Sequence, residues 1–117
     1  MGEARMKLTL PFPPSANRYW RNYRGVTVVS QEAKSFKAHV RLVTKRIQPQ
    51  EGPLQWSAVA YFPNRRGDLS NRIKIVEDAL NGIAWIDDSQ VMALQIERAI
   101  DKDNPRIEIE VLPWTKT

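Results

Sequence analysis

The chain has 117 residues, enough for one domain around a single hydrophobic core but too few for two. Its 42% hydrophobic and 26% charged content is typical of a soluble globular protein, and no apolar run approaches the roughly 20 residues of a membrane-spanning helix. The absence of cysteine excludes disulfides, thiolate nucleophiles and Cys-ligated zinc. We therefore expect one domain over residues 1–117, with no signal peptide or membrane segment and a cytoplasmic location.

Positive charge is concentrated in the first half of the chain. Residues 1–50 carry ten Lys/Arg and two Glu, a net charge of +8, whereas residues 51–117 carry eight Lys/Arg and eleven Asp/Glu, a net charge of −3. A basic half indicates a polyanionic partner such as nucleic acid, although a solvated basic surface is the plainer alternative. The acids are clustered too, since Asp68, Asp78, Asp87 and Asp88 fall within one short stretch.

The predicted elements of the first half are a strand, a hairpin and an amphipathic helix. Apolar residues alternate with other residues from Met6 to Phe12, which predicts a strand that ends at two prolines. Residues 19–29 hold Arg24-Gly25 between β-favouring residues, which indicates a short hairpin. Ser30 is the predicted N-cap of a helix that Pro49 stops. Its core-facing stripe consists of Ala33, Phe36, Val40, Val43 and Ile47.

The second half predicts a buried strand, a helix and two further strands. The strand covers Leu54–Phe62, and the helix runs from Ser70 or Asn71 to Asn81-Gly82. Val91–Ile100 and residues 107–111 are the last strands, and the short turn at residues 101–105 predicts that they form an antiparallel hairpin. The element order β-α-β-α-β-β predicts an α+β domain: one mixed β-sheet with two main helices packed against it.

The second helix separates an apolar side from a polar one. At 100° per residue, the core-facing side consists of Leu69, Ile73, Val76 and Leu80. Asn71, Lys74 and Asp78 lie on the opposite side, and Asp68 can reach them from just before the helix. The plain interpretation is a solvated face in which Lys74 and Asp78 form an ordinary i,i+4 ion pair.

Neighbouring residues favour a catalytic interpretation of this polar side. Arg65 and Arg66 precede Asp68, so cations that can hold phosphates adjoin an acid that can hold a metal. If the strand after Asp88 lies beside the Leu54–Phe62 strand, Asp88 comes near Asp68. Hard carboxylate oxygens suit Mg²⁺ or Mn²⁺, which polarises a phosphodiester and activates water. Lys74 would stabilise charge in the transition state.

A second basic region precedes the first helix. Arg18, Arg21 and Arg24 interleave with aromatic residues, as in a DNA-contacting loop where rings stack and guanidinium groups hold phosphates. The alternative is that Tyr19 and Trp20 belong to the core. His39, among the basic residues of the first helix, is interpreted as a surface or phosphate-contacting residue rather than a general base.

Three blocks of sequence carry a resemblance to a known family. They are LPFPPSANRYWR at residues 10–21, RRGDLSN at residues 65–71 continuing through Lys74 to Asp78, and WIDDSQV at residues 85–91. All three, in this order and spacing, resemble the RusA family of Holliday-junction resolvases, small phage- and prophage-borne endonucleases. The resemblance implies a homodimer in a bacterial or phage-infected cell that makes paired cuts across a four-way DNA junction with Mg²⁺ or Mn²⁺.

Carried over by position, the resemblance implies roles for individual residues. Asp68 and Asp88 match metal-binding aspartates, and Lys74 matches a catalytic lysine. Ser70 stands where the family usually has a third aspartate, so Ser70 itself, Asp87 or Asp78 would complete the metal ligands, or activity would be reduced. The predicted DNA-binding residues are Arg18, Arg21, Arg24, Arg65, Arg66, Arg72 and Lys74.

Two other functions remain open at this point. A non-catalytic junction-binding protein would account for Ser70, and a cleavage assay with Mg²⁺ or Mn²⁺ separates it from an enzyme. A basic RNA- or single-strand-binding domain would leave the cluster of Asp68, Asp87 and Asp88 unexplained, and competition binding with single strands tests it.

Overall fold

The central element of the fold is the apolar strand β4 (Leu54–Phe62), in which every second residue is buried. The computed structural model describes residues 5–15, 20–23, 26–45 and 47–115, with the backbone alone for 20–23 and 26–29. Strand β5 (Val91–Ile100) pairs with β4 in parallel, and β6 (Arg106–Pro113) pairs with its other edge in antiparallel fashion. Strand β1 (Met6–Pro11) adds to the outer edge of β6, so the order is β1-β6-β4-β5. The predicted mixed sheet is confirmed.

The predicted hairpin of the last two strands is wrong, because β4 lies between β5 and β6. The turn at residues 101–105 crosses the end of β4, where the Asp101 backbone N–H donates to the Phe62 carbonyl at 2.8 Å. Crossing one strand requires a span of only about 10 Å, which five residues cover easily. A short turn therefore fits this arrangement as well as it fits a hairpin.

The first helix, α1 (Gln31–Val43), begins where the sequence indicates. The Ser30 hydroxyl accepts a hydrogen bond from the Ala33 backbone N–H at 3.2 Å, so the predicted N-cap is confirmed. The helix ends at Val43, well before Pro49, and Val43 is exposed rather than part of the core-facing stripe. The predicted hairpin before α1 is also confirmed as β2 (Trp20–Tyr23) and β3 (Val26–Val29), which form a separate two-stranded sheet.

The second helix, α2 (Ile73–Leu80), follows a single 3-10 turn at Ser70–Arg72. Ser70 does not cap it through its side chain. The buried residues of α2 are Ile75, Val76, Ala79 and Leu80, whereas Leu69 and Ile73 are only half-buried. Of the predicted core-facing residues, Val76 and Leu80 are confirmed as buried. The buried side of the helix is rotated from the predicted one, so that it includes Ile75 and Ala79 instead of Leu69 and Ile73.

The segment between α2 and β5 is anchored by Trp85, which is fully buried. Its indole N–H donates to the Asn81 side-chain oxygen at 2.7 Å, and its ring stacks on Trp56 with the centroids 6.3 Å apart. This anchor fixes where Asp87 and Asp88 leave the core. Among the described residues, the structure holds no helix that is long and apolar enough to cross a membrane.

Candidate active site

The polar side of α2 forms an ion-pair cluster, defined here as Lys74, Asp78 and Asp88. Lys74 Nζ lies 3.3 Å from Asp78 Oδ1, one turn along the helix, and 2.7 Å from Asp88 Oδ2. Asp88 belongs to the segment after α2, so the cluster joins the second and third sequence blocks. Hydrogen bonds from Lys74 to Asp88 and then Asp78 raise the pKa of Lys74 above its usual value. The lysine is therefore a cation throughout the neutral pH range.

The two adjacent aspartates of the third block have different surroundings. Asp87 is the N-cap of the 3-10 turn Asp88–Gln90, and its carboxylate accepts from the Ser89 backbone N–H at 3.0 Å. Hydrogen bonding with Ser89, through its side chain first and then its backbone N–H, lowers the pKa of Asp87. The Gln90 side chain completes a capping box by accepting from the Asp87 backbone N–H at 2.9 Å. Asp87 thus shapes the turn that directs Asp88 toward Lys74.

Asp68 lies in the Asp68 loop, defined here as residues 63–68, between β4 and the 3-10 turn. Its Oδ1 accepts a hydrogen bond from the Ser70 hydroxyl at 3.2 Å, and the Asp68 side chain is exposed. Arg65 and Arg66 in the same loop are exposed as well, as a phosphate-contacting role requires. The departure from the family pattern at Ser70 therefore touches the Asp68 carboxylate directly.

An open cleft of about 1090 Å³ lies beside the Asp68 loop. Residues 11–15 of the first block form one wall, α1 forms another, and Asp68 and Asn71 belong to the third. The side chains of Phe12 and Phe36 supply apolar surface, and His39 contributes to the lining. The cleft brings the first sequence block to the same place as the second.

The predicted DNA-binding residues divide into three groups. Arg65, Arg66 and Lys74 are exposed. Arg18 and Arg24 lie outside the described residues, and Arg21 belongs to β2, of which the backbone alone is described. Arg72 belongs to the lining of the cleft but is only 8% exposed, and its Nε and Nη1 donate to backbone carbonyls. The structure thus favours a positioning role for Arg72 over the predicted DNA contact.

The oxygen donors of the site fit a hard divalent cation in kind, because they are carboxylates and a hydroxyl. Asp88 Oδ2 is held by Lys74, and Asp68 Oδ1 is held by Ser70. Within the described ranges, no three acidic or histidine side chains converge into a group that could hold a metal ion. The fit is therefore in chemistry rather than in an assembled shell. Strand β5 does lie beside β4, but Val91 pairs with Leu54 at the start of β4, whereas Asp68 follows Phe62 at its end. The pairing of these strands therefore does not by itself bring Asp88 to Asp68, and their approach stays a prediction.

Two arginines hold the Asp68 loop in place, and this role was predicted from the sequence for neither: Arg72 was assigned to DNA contact, and Arg98 was not singled out. Arg72 and Arg98 donate hydrogen bonds to its backbone carbonyls and stack on Phe62. A signal for Arg72 was present: three residues after Leu69 and four before Val76, it falls on the core-facing side of the helical projection. Arg98 carried no comparable signal, because an arginine in a half-buried strand is ordinary.

Comparisons with known proteins identify the family of the chain. Residues 11–112 match the family model of Endodeoxyribonuclease RusA. The chain is 34% identical over 109 residues to the crossover junction endodeoxyribonuclease RusA of Escherichia coli strain K12, covering 89% of this chain and 91% of that relative. The enzymes of that name from Shigella sonnei and Enterobacteria phage 82 are each 33% identical over the same lengths. The chain belongs to the RusA family of endodeoxyribonucleases.

Proposed function

We propose that this chain is a metal-dependent endonuclease that resolves Holliday junctions by paired phosphodiester hydrolysis in DNA recombination and repair. The observation that carries the proposal is the meeting of the three sequence blocks. Residues 11–15 and Asp68 line one cleft, and Lys74 of the central block pairs with Asp88 of the third at 2.7 Å. The relatives are named as crossover junction endodeoxyribonucleases and come from bacteria and a phage. The proposed location is accordingly the cytoplasm of a bacterial or phage-infected cell.

Asp68 and Asp88 are the proposed metal ligands, with the Ser70 hydroxyl as a further donor. A bound Mg²⁺ or Mn²⁺ supplies a Lewis acid for the phosphodiester and an activated water. Asp87 is the weaker candidate ligand, because its carboxylate already caps the turn before β5. Lys74, a permanent cation on an exposed side chain, stabilises the charge that develops on the phosphate.

The exposed basic side chains position the DNA in this proposal. Arg65 and Arg66 are adjacent to the Asp68 ligand, so phosphates that they hold lie next to the metal. The basic residues Arg18, Arg21 and Arg24 are assigned the same role from the sequence. Since each phosphate contact releases counterions, junction affinity should fall steeply with salt. Each contact should add roughly −0.9 to the slope of the logarithm of the binding constant against the logarithm of the salt concentration.

A homodimer is part of the proposal, because paired cuts across a two-fold junction need two sites in matching orientation. Residues 107–112 belong to β6 inside the sheet and offer no free edge for a partner strand. Strand β5 is an outer strand, and Met92 and Leu94 on it are 57% and 40% exposed. Within the part of the chain that the structure describes, the outer edge of β5 has no partner strand. Exposed apolar side chains on such an edge strand favour pairing with another copy, so we assign β5 to the interface.

The interface is tested by the mass of the protein in solution. Sedimentation of the wild type should give twice 13.5 kDa, and Leu94→Lys should shift the protein toward the monomer. Gln95→Lys, an equal charge change on the next exposed residue of β5, is the matched control. A wild-type monomer at assay concentrations would contradict the dimer. If Leu94→Lys remains a dimer, β5 is not the interface, and the β2–β3 hairpin becomes the candidate.

The activity is tested by incubating the wild type with a four-way junction and with a linear duplex of the same sequence, each with and without Mg²⁺ or Mn²⁺. We expect cuts on opposite strands of the junction, dependent on the metal, and little cutting of the duplex. Binding to the junction without cutting under any of these conditions would contradict the enzyme. In that case a non-catalytic junction-binding protein is the better account.

A further inference from the structure

The inference concerns Arg72, a buried cation beside the proposed metal ligand Asp68. Its guanidinium lies 4.9 Å from the Phe12 ring centroid and 4.8 Å from that of Phe62. Burial lowers the pKa of Arg72, nearby Arg98 lowers it further, and Asp68 raises it. Because a buried charge is costly unless it is well hydrogen-bonded, the partners of this side chain indicate what it does for the fold or the site.

The partners of Arg72 are backbone carbonyls in two sequence blocks. Nη1 donates to the Asp68 carbonyl at 2.6 Å, and Nε donates to the Pro13 carbonyl at 3.3 Å, 59 residues away in sequence. One rigid guanidinium therefore fixes the backbone of the proposed ligand relative to the wall of the cleft. A lysine, with a single nitrogen, cannot reproduce both contacts in the same geometry.

Gly67 allows the loop to close against this guanidinium. Its φ is +95°, a conformation that suits glycine, and a Cβ there would lie 3.3 Å from both Nη1 and Nη2 of Arg72. The residue before Asp68 therefore has both the backbone freedom and the small size that the contact requires.

Arg98 on β5 provides an internal comparison. Its Nη1 and Nη2 donate to the carbonyls of Arg65 and Gly67, each at 2.7 Å, and it lies 4.2 Å from the Phe62 centroid. Both arginines hold the same loop and share one aromatic ring, but Arg72 alone of the two bonds to Asp68 itself.

We propose that Arg72 is a positioning residue that presents the Asp68 carboxylate to the divalent cation. The inference rests on the proposed function, in which Asp68 is a metal ligand. By fixing the Asp68 backbone, Arg72 removes the ordering cost that the metal would otherwise bear on binding. Groups that orient metal ligands typically contribute about 10- to 100-fold to metal affinity.

The test is Mn²⁺ binding to the protein without DNA, measured by the electron paramagnetic resonance signal of free Mn²⁺. Arg72→Leu and Arg72→Lys should each raise the Kd for Mn²⁺ by about tenfold. Arg98→Leu should raise it by less than about threefold, although it removes two hydrogen bonds to the Asp68 loop and Arg72→Leu removes one. Junction affinity in the absence of metal should stay within about twofold for the Arg72 variants, and excess Mn²⁺ should restore their cutting.

An unchanged Mn²⁺ Kd in a folded Arg72 variant would overturn the proposal, and so would equal effects of the Arg72 and Arg98 substitutions. If Arg72→Leu does not fold, the Mn²⁺ Kd of Arg72→Lys tests the proposal. If neither variant folds, Arg72 is needed for the stability of the fold, and the proposed positioning role is overturned. Asp68→Asn separates this inference from the proposed function. Loss of Mn²⁺ binding in Asp68→Asn together with normal binding in the Arg72 variants contradicts the inference alone. Normal binding in Asp68→Asn contradicts the metal site itself.

Discussion

The Asp68 loop and the Lys74–Asp78–Asp88 cluster are held in opposite ways. The loop is held through its backbone, by arginines that donate to the carbonyls of Arg65, Gly67 and Asp68 and pack on aromatic rings. In the cluster the contacts of Lys74 with its two acids are between side chains; the Lys74 side chain is 69% exposed, and those of Asp78 and Asp88 are 26% and 24% exposed. An exposed ion pair contributes only about 0–1 kcal/mol. The loop is therefore fixed before substrate arrives, whereas the cluster rearranges at little cost.

This difference suits the roles proposed for the two regions. A metal ligand gains affinity from a fixed backbone, since less ordering is needed when the ion binds. Asp88 must release Lys74 in part if it is to bind a cation, and Lys74 must then turn to a phosphate. Weak, exposed ion pairs permit that exchange. Substitutions at Lys74 and Asp78 alter the cluster, whereas substitutions at Asp68 and at its hydrogen-bond partner Ser70 alter the other region.

Removing the lysine should have the largest effect. Lys74→Ala should lower the rate of junction cleavage at saturating metal by about 100-fold or more, because a cation near the developing charge is lost. Junction affinity should change by less than about threefold, and Tm by little, because the ion pairs are exposed. Lys102→Ala removes an exposed lysine from the turn between β5 and β6 and is the control. A rate loss below about fivefold would exclude Lys74 from catalysis.

Placing an acid beside Asp68 should lower the Mg²⁺ concentration that cleavage requires. Ser70→Asp places a carboxylate where a hydroxyl now lies 3.2 Å from Asp68 Oδ1. We expect half-maximal cutting at about tenfold lower Mg²⁺, and a lower Tm without metal because the two carboxylates repel each other. Ser70→Asn, the neutral isostere of that variant, should not lower the Mg²⁺ requirement. An unchanged requirement in Ser70→Asp would mean that Asp78 or Asp87 already completes the site.

Removing the second acid of the cluster should have a smaller effect. Asp78→Asn leaves Lys74 paired with Asp88 through the shorter of its two contacts, 2.7 Å against 3.3 Å. We expect the cleavage rate to fall by about threefold, because Lys74 keeps its main partner but loses one restraint. A single-turnover assay measures the chemical step directly. A loss as large as that of Lys74→Ala would instead make Asp78 a member of the metal site.

The smallest expected effect concerns the half-buried Glu77, which accepts a hydrogen bond from the Trp56 indole N–H at 2.9 Å. Burial raises the pKa of Glu77 above its ordinary value, so wild-type stability falls as pH rises from 4.5 through the raised pKa. Glu77→Gln keeps an acceptor for Trp56 and removes this cost. Its Tm should exceed that of the wild type at pH 7, by less than about 4 °C, and the difference should vanish near pH 4. A difference that does not vary with pH would contradict the cause assigned here.

Much of the fold could be predicted from the sequence because its elements have strong local signals. β4 and β5 have the predicted bounds, and Ser30 caps α1 as expected. The neighbours of each strand were harder to predict, because a five-residue turn fits both a hairpin and a crossing over β4. Residues 107–111 were accordingly predicted to pair with β5, whereas β6 pairs with β4 and β1.

The site shows the same division between local and long-range information. Motif spacing predicted that Lys74 and Asp78 share a helix side, and their contact confirms it. The buried position of Arg72 depends on Phe12 and Phe62, which are far apart in sequence and meet only in the folded sheet. Asp87 and Asp88 have separate roles because Asp87 forms a capping box with Gln90. Two adjacent aspartates look alike in the sequence, so their separate roles could not be predicted from it.

The central claim, that Asp68 holds the catalytic metal, is tested most directly by cleavage and binding of one four-way junction by Asp68→Asn. The matched control is Asp103→Asn, which makes the same change at an exposed position in the turn between β5 and β6. The account predicts no detectable cutting by Asp68→Asn with Mg²⁺ or Mn²⁺, while its junction affinity equals or exceeds that of the wild type because a negative charge facing the phosphates is gone. Asp103→Asn should cut normally. Cutting by Asp68→Asn at a rate near that of the wild type would contradict the account.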